Sequence, residues 1–165
     1  MAPRRNVVGR TARPDDDATL RRIDVVTWTA QVSPAPPPTG SFFGSTHAED
    51  VLVAEIDGHV AGYAELGRFY TLETSAHVLE LKGIAVDPIH QGQGVGRALV
   101  TAAIQAARRR QARRLMLKVL GSNVIARNLY ESCGFQVEGI LRDQFLLDGH
   151  YVNDVFMAVD LTTES

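Results

Sequence analysis

The chain has 165 residues, 45% hydrophobic and 22% charged, with a formal net charge of −2. That length suits one domain, residues 1–165, burying about 70% of its unfolded surface, and the balanced charge excludes a global pull toward nucleic acid or anionic membrane. No apolar run approaches the roughly 18 residues of a membrane span, the N-terminus has charge but no signal-peptide apolar core, and the lone Cys133 permits no internal disulfide, so a reducing cytoplasm is the expected setting.

Val7 to Ala12 reads as a first strand, closed by Pro14 and the acidic run Asp15, Asp16, Asp17. Those aspartates suit a helix start, and Ala18 to Thr29 carries Leu20, Ile23, Val26 and Trp28 at near-helical spacing. Ser33 to Gly40 then packs Pro34, Pro36, Pro37 and Pro38 into one stretch, which can neither propagate a helix nor pair as a central strand. Val51 to Ile56 and Val60 to Leu66 are two strands joined at Asp57-Gly58, a hairpin signal. Val78 to Val86 is a long strand interrupted by Glu80 and Lys82 on one face.

Gly94 to Arg110 is a helix with an apolar stripe of Val95, Leu99, Ala102, Ala103 and Ala106, small enough to lie against a sheet. Leu115 to Leu120 is a strand and Asn123 to Cys133 a helix ended by Gly134. Phe135 to Leu141 and Tyr151 to Leu161 form a final pair around Asp148-Gly149. Strands alternating with helices in the middle and antiparallel hairpins at the flanks give a mixed α/β, or α+β, sandwich.

Between the strand ending at Val86 and the helix lie Gln91, Gly92, Gln93, Gly94, Val95, Gly96 and Arg97. Alternating glycines let the backbone approach a ligand and adopt positive φ, while the orphan N–H groups and positive dipole end of the helix favour a phosphate. The spacing is not that of a P-loop, since no Lys follows the glycines. It is not a dinucleotide fingerprint either, because three positions after Gly94 stands Arg97, and Gln111 to Leu115 holds no acidic partner for a ribose.

Gln91, Gly94 and Gly96 match without a gap the Gln/Arg-x-x-Gly-x-Gly/Ala loop of the GCN5-related N-acetyltransferase (GNAT) family, and Asn123 to Phe135, NVIARNLYESCGF, resembles that family's later helix. The resemblance covers roughly Val51 to Leu161. It implies a mostly antiparallel central sheet with a splayed parallel pair in the middle and helices on both faces. It also implies acetyl-CoA as co-substrate, its pyrophosphate on the Gln91–Gly96 turn and its pantetheine arm along the backbone of Ile84 and Val86, with Gly83 permitting the local bend. The acyl group would pass directly to an amine.

Such a transfer needs a held cofactor, a neutral amine and a protonated leaving thiolate. By the resemblance Tyr130 is the acid; a phenol is protonated at neutral pH, and Tyr130 lies two helical turns after Asn123 on one face. Glu80 is the expected base, placed by strand alternation on the side of Lys82, Ile84 and Val86, with Glu65 as substitute; a solvent-facing or Lys82-paired Glu80 stays open. Asn123 serves equally as helix N-cap.

The expected acceptor is a small-molecule amine such as an amino acid, amine or antibiotic, lying between the Trp28 to Phe43 and Phe145 to Asn153 segments. A protein or peptide N-terminus and a non-catalytic acetyl-CoA-binding module are the alternatives. A homodimer is admitted. Arg108, Arg109, Arg110, Arg113 and Arg114 read as a solvated helix end ahead of an RNA contact. Cys133 reads as packing and Asp154 as a strand-edge charge. The five histidines, His47, His59, His77, His90 and His150, show no ligand spacing, so no metal site is expected.

Overall fold

Two Asp-Gly pairs set the hairpins: Asp57 and Gly58 have φ of 52° and 78°, and Asp148 and Gly149 have 47° and 76°. Positive φ at both central residues matches the twist of two antiparallel strands. The structure, a computed structural model, describes residues 6–163. Its strands are β1 (Val7–Thr11), β2 (Val51–Ile56), β3 (His59–Arg68), β4 (Val78–Val86), β5 (Arg114–Leu120), β6 (Gln136–Leu147) and β7 (His150–Asp160). The helices are α1 (Asp17–Thr27), α2 (Val95–Arg109) and α3 (Val124–Ser132). The strands form one sheet in the order β1-β2-β3-β4-β5-β7-β6.

Every pairing is antiparallel except β4 with β5. That parallel pair is joined only at Val78–Arg114, Leu79–Leu115 and Glu80–Met116, after which the two strands part. The splayed mixed sheet expected from the family resemblance is therefore present, opened beyond Glu80 on one side and Met116 on the other.

The sheet is covered on both faces, because its apolar side chains alternate. Leu52, Ala54, Ile56, Leu66, Leu79, Leu81, Leu117, Val119, Val155 and Met157 join α2, Tyr130 and Phe135 in one cluster. Val51, Val53 and Tyr63 turn the other way to meet Leu20 and Ile23 of α1. On α1 the buried stripe is Leu20 and Ile23, whereas Val26 and Trp28 are exposed. Val26 lies six positions, or about 240°, from Leu20 on a helix of 3.6 residues per turn, and so leaves the buried face. The helix stops where Trp28 turns extended at ψ 131°.

Asp87 ties α1 to the sheet. Its carboxylate, 2% exposed, accepts from Arg22 of α1 at 2.5 Å and caps the Ile89 N–H at 3.3 Å. Burial works against its ionisation, but Arg22 and the amide outweigh burial and hold the carboxyl below the usual range. A depressed folded pKa means the ion pair stabilises the fold above about pH 4 and that this contribution disappears as pH falls further. Asp87→Asn is expected to cost about 2 kcal/mol at neutral pH and to flatten the acid limb of stability against pH in urea titrations; an unchanged acid limb would count against the pairing.

Candidate active site

The opening between β4 and β5 continues into a cleft of about 1090 Å³ that runs from Gln91, Gly92, Gly94, Val95 and Gly96 at one end to Asp24, Trp28, Tyr63 and Glu65 at the other. At the first end Gly94 caps α2 with φ 83°, and Gly92 sits at φ 74°. A Cβ at either would meet nothing within 4 Å, so their lack of side chains serves the turn and the space above it rather than packing. Gly96 is different. Its Cβ would lie 3.1 Å from Leu129 Cδ2, so it lets α2 approach α3 closely. Gln93 and Arg97 turn away from the cleft: Gln93 Nε2 donates to Ile89 O at 3.2 Å, and Arg97 donates to Ser132 Oγ at 2.8 Å.

Along the middle of the cleft the edge of β4 is free. Asp87 N–H donates to Ala61 O on β3, and peptide groups alternate in direction along a strand. Ala85 therefore points its N–H toward β3, while Ile84 and Val86 point theirs into the opening. Gln91 Nε2 reaches Val86 O at 3.4 Å from that same side. These are the unpaired strand groups to which an extended ligand can add itself.

At the other end the sheet separates two chemistries. On the α2 and α3 side stands Tyr130, 6% exposed, its ring against Phe135 at 5.9 Å between centroids. Burial pushes its phenol up to about 12. Its hydroxyl has no protein partner among the described residues, and the side chain lines the cleft. Asn123 caps α3, accepting from Ala126 N–H at 3.3 Å, and lines the same wall two turns away.

Glu80 occupies the opposite face, and here the sequence expectation needs correction. Ile84 and Val86 pack on the α2 side together with Leu79 and Leu81, so alternation breaks between Leu81 and Ile84. The break is a bulge: Glu65 pairs with Gly83 and Leu66 with Leu81, leaving Lys82 unpaired. Glu80 consequently faces α1, away from Ile84 and Val86. It is buried, sits at the last paired position before the strands part, and contacts Lys118 Nζ at 3.4 Å.

Glu65 lies on that α1 face too, accepting from Thr46 Oγ1 at 3.2 Å, and burial raises its carboxyl above the ordinary range. Tyr63 donates to Asp24 at 2.7 Å, and burial raises its phenol. The wall of this end is Trp28, whose Nε1 donates to Ala35 O at 2.7 Å, with the proline segment 34–38 and Phe145.

Asp154, expected as a strand-edge charge, is instead buried on a strand paired on both sides. It is 9% exposed, lines the cleft, and pairs with Leu120 on β5. The signal was a charge away from the strand ends, Lys118 in RLMLKVL and Asp154 in HYVNDVFMAVD, where Arg114 and Asp160 sit at the termini. The arginine cluster is outside the cleft: Arg110 pairs with Asp50 at 2.8 Å, Arg114 with Glu138, and Arg108 donates to Thr163 O. Cys133 is a free, half-buried thiol. Among the described residues no three His, Cys, Asp or Glu side chains cluster as metal ligands, and no helix is long and apolar enough to cross a membrane.

One sheet opened at its parallel pair, with a glycine turn and a helix N-terminus lining the same cleft, defines the class as a mixed α/β protein with an unpaired strand edge beside a helix start. The model of the acetyltransferase (GNAT) family matches residues 18–135, and the chain belongs to that family. It is 31% identical over 111 residues to an L-amino acid N-acyltransferase of Escherichia coli, covering 67% of this chain and 64% of that protein. It is 38% identical over 82 residues to the E. coli [ribosomal protein bS18]-alanine N-acetyltransferase, covering 50% and 55%. The chain spans less than two thirds of the curated relatives it matches. Among solved structures, smu.2055 of Streptococcus mutans superposes with a TM-score of 0.82 at 29% identity, over 94% of this chain and 99% of that one.

Proposed function

We propose that the chain is a single-domain, cytoplasmic, acetyl-CoA-dependent N-acetyltransferase that moves the acetyl group from the thioester directly to the primary amine of a small molecule. The observation that carries this reading is the continuity of the cleft: a turn suited to a pyrophosphate, a free strand edge, and an acid and carboxylates on opposite faces of the same opening. The pyrophosphate would rest on the Gln91–Gly96 turn at the start of α2, and the pantetheine arm would pair with Ile84 and Val86 as an added strand. When bound, acetyl-CoA supplies the activated acyl carbon and a thiolate leaving group.

The chain supplies the rest. Tyr130, on one side of the sheet, holds the proton for the sulfur. The amine gives its proton to a carboxylate on the other side, where Glu80, Glu65 and Asp154 line the cleft. Proximity of both to one opening removes the entropic cost of bringing donor and acceptor together.

Two relatives are named for acting on L-amino acids or on methionine sulfoximine and sulfone, others for acting on a ribosomal protein alanine. Trp28, the proline-rich 34–38 segment and Phe145 line the acceptor end, and this apolar wall supports a compact amine as the acceptor. Free-thiol release from acetyl-CoA, measured with amino acids, polyamines, aminoglycosides and alanine-started peptides, tests both points. Turnover with a small amine is the expected result. Preference for the peptide reassigns the acceptor, and failure to bind acetyl-CoA sinks the reading.

A further inference from the structure

Leu117, Val119, Val155 and Met157 all pack on the α2 side of the sheet, so alternation sends Lys118 and Asp154 to the α1 side with Glu80. Along the opening the three stand in order. Glu80 marks the narrow end, opposite Met116; Lys118 is two residues further along β5; and Asp154, opposite Leu120, marks the wide end. Lys118 Nζ lies 3.4 Å from Glu80 Oε1 and 5.6 Å from the Phe69 ring centroid. All three charged side chains line the cleft.

The two carboxylates differ in their partners. Glu80 has Lys118 in contact. Among the described residues the Asp154 carboxylate accepts no hydrogen bond from the protein, although Asp154 is as buried as Glu80, at 9% against 8%. Two buried carboxylates against one ammonium leave one negative charge beside the opening, which draws in a cationic amine and has room for the proton it sheds.

We propose that Asp154 is the carboxylate that takes the proton from the acceptor ammonium, and that Lys118, held by Glu80, sets the pH at which it does so. This rests on the acetyltransferase reading above. The ammonium transfers one proton to an Asp154 oxygen, and the freed nitrogen lone pair forms the C–N bond to the thioester carbon as the C=O π pair moves to the carbonyl oxygen, to return when the adduct collapses. As the adduct collapses, the C–S bond breaks with its electron pair going to sulfur. The sulfur takes a proton from Tyr130, and the nitrogen loses its second proton to water. Asp154 discharges its proton to solvent through the open cleft and Tyr130 recovers one, so the cycle releases one proton overall.

Burial pushes the Asp154 carboxyl above the ordinary range, with Lys118 acting in the opposite direction. The charges facing it are Lys118 from β5 and Glu80 from β4; on β6 it pairs with uncharged Leu141, followed by Arg142 and Asp143. Across the cleft α1 contributes Arg21 and Asp24, and β3 contributes Glu65.

The test uses the full chain with acetyl-CoA and three probes, L-methionine sulfone, spermidine and an alanine-started hexapeptide, from pH 5 to 9. It includes carboxyl carbon NMR of Asp154. Asp154→Asn is expected to lower kcat/KM at least about a hundredfold with unchanged acetyl-CoA affinity, and Asp154→Glu to restore part of it. Lys118→Met should move both the acidic limb and the Asp154 titration to higher pH, and Glu80→Gln should move both lower. An Asp154→Asn enzyme within threefold of the parent, an Asp154 titration at an ordinary aspartate value, or a Glu80→Gln enzyme that has lost its acidic limb overturns the assignment. A parent chain that does not bind acetyl-CoA overturns the underlying acetyltransferase reading instead.

Discussion

Gly94→Ala is expected to reduce acetyl-CoA affinity by one to two orders of magnitude while leaving a folded protein. Two effects separate here. The backbone cost is local: a residue with a Cβ at φ 83° loses about 1–2 kcal/mol relative to glycine, and the new methyl meets no protein atom within 4 Å. The binding cost is of another kind, because that empty volume is where the proposed pyrophosphate meets the first amides of α2. Each tenfold loss corresponds to about 1.4 kcal/mol, a reasonable effect for one displaced phosphate contact in a site made of backbone donors. Isothermal calorimetry with acetyl-CoA, read beside a denaturant titration, distinguishes the two. An unchanged dissociation constant would remove the turn from the cofactor site.

Tyr130→Phe is expected to lower kcat by about 10²–10⁴ while acetyl-CoA affinity and stability stay near those of the parent. The ring is what the fold uses, packed on Phe135 in the α2-side core; the hydroxyl has no protein partner to lose. With burial pushing the phenol up to about 12, Tyr130 stays protonated through any practical assay range, so its loss should reduce the plateau of the pH profile without moving an alkaline limb. Single-turnover measurement of thiol release isolates this step from acceptor binding. A Phe variant with parental kcat would leave sulfur protonation to water.

The legible parts of this chain were those whose physics is local. Asp57-Gly58 and Asp148-Gly149 dictate hairpins within two residues. The alternating glycines mark the turn before α2, and Asn123 caps the helix that carries Tyr130. What escaped depends on distant partners. The bulge at Lys82 arises from how β3 meets β4, and it carries Glu80 to the face opposite the one that simple alternation assigns. Asp154 is notable only once β5 and β7 are paired and Lys118 stands beside it. The final hairpin was read short because β6 continues through Arg142, Asp143 and Gln144, polar residues of an exposed edge strand that follow no apolar period. Of the residues at helical spacing in α1, only Leu20 and Ile23 are buried, which depends on where the sheet meets the helix and not on its period.

The proline segment beside Trp28 contributes no strand to the sheet, and its tether to α1 is a side-chain N–H on a backbone carbonyl, at Ala35. A main-chain acceptor is present whatever residue occupies that position. Variation at Pro34, Pro36, Pro37 and Pro38 is thus expected to reshape the proposed acceptor pocket while the glycine turn and the β4 edge keep their geometry. In the proposed acetyltransferase, donor binding and acceptor choice fall on separate stretches of chain, which gives descendants of this sequence a route to new amines that leaves the proposed donor site intact.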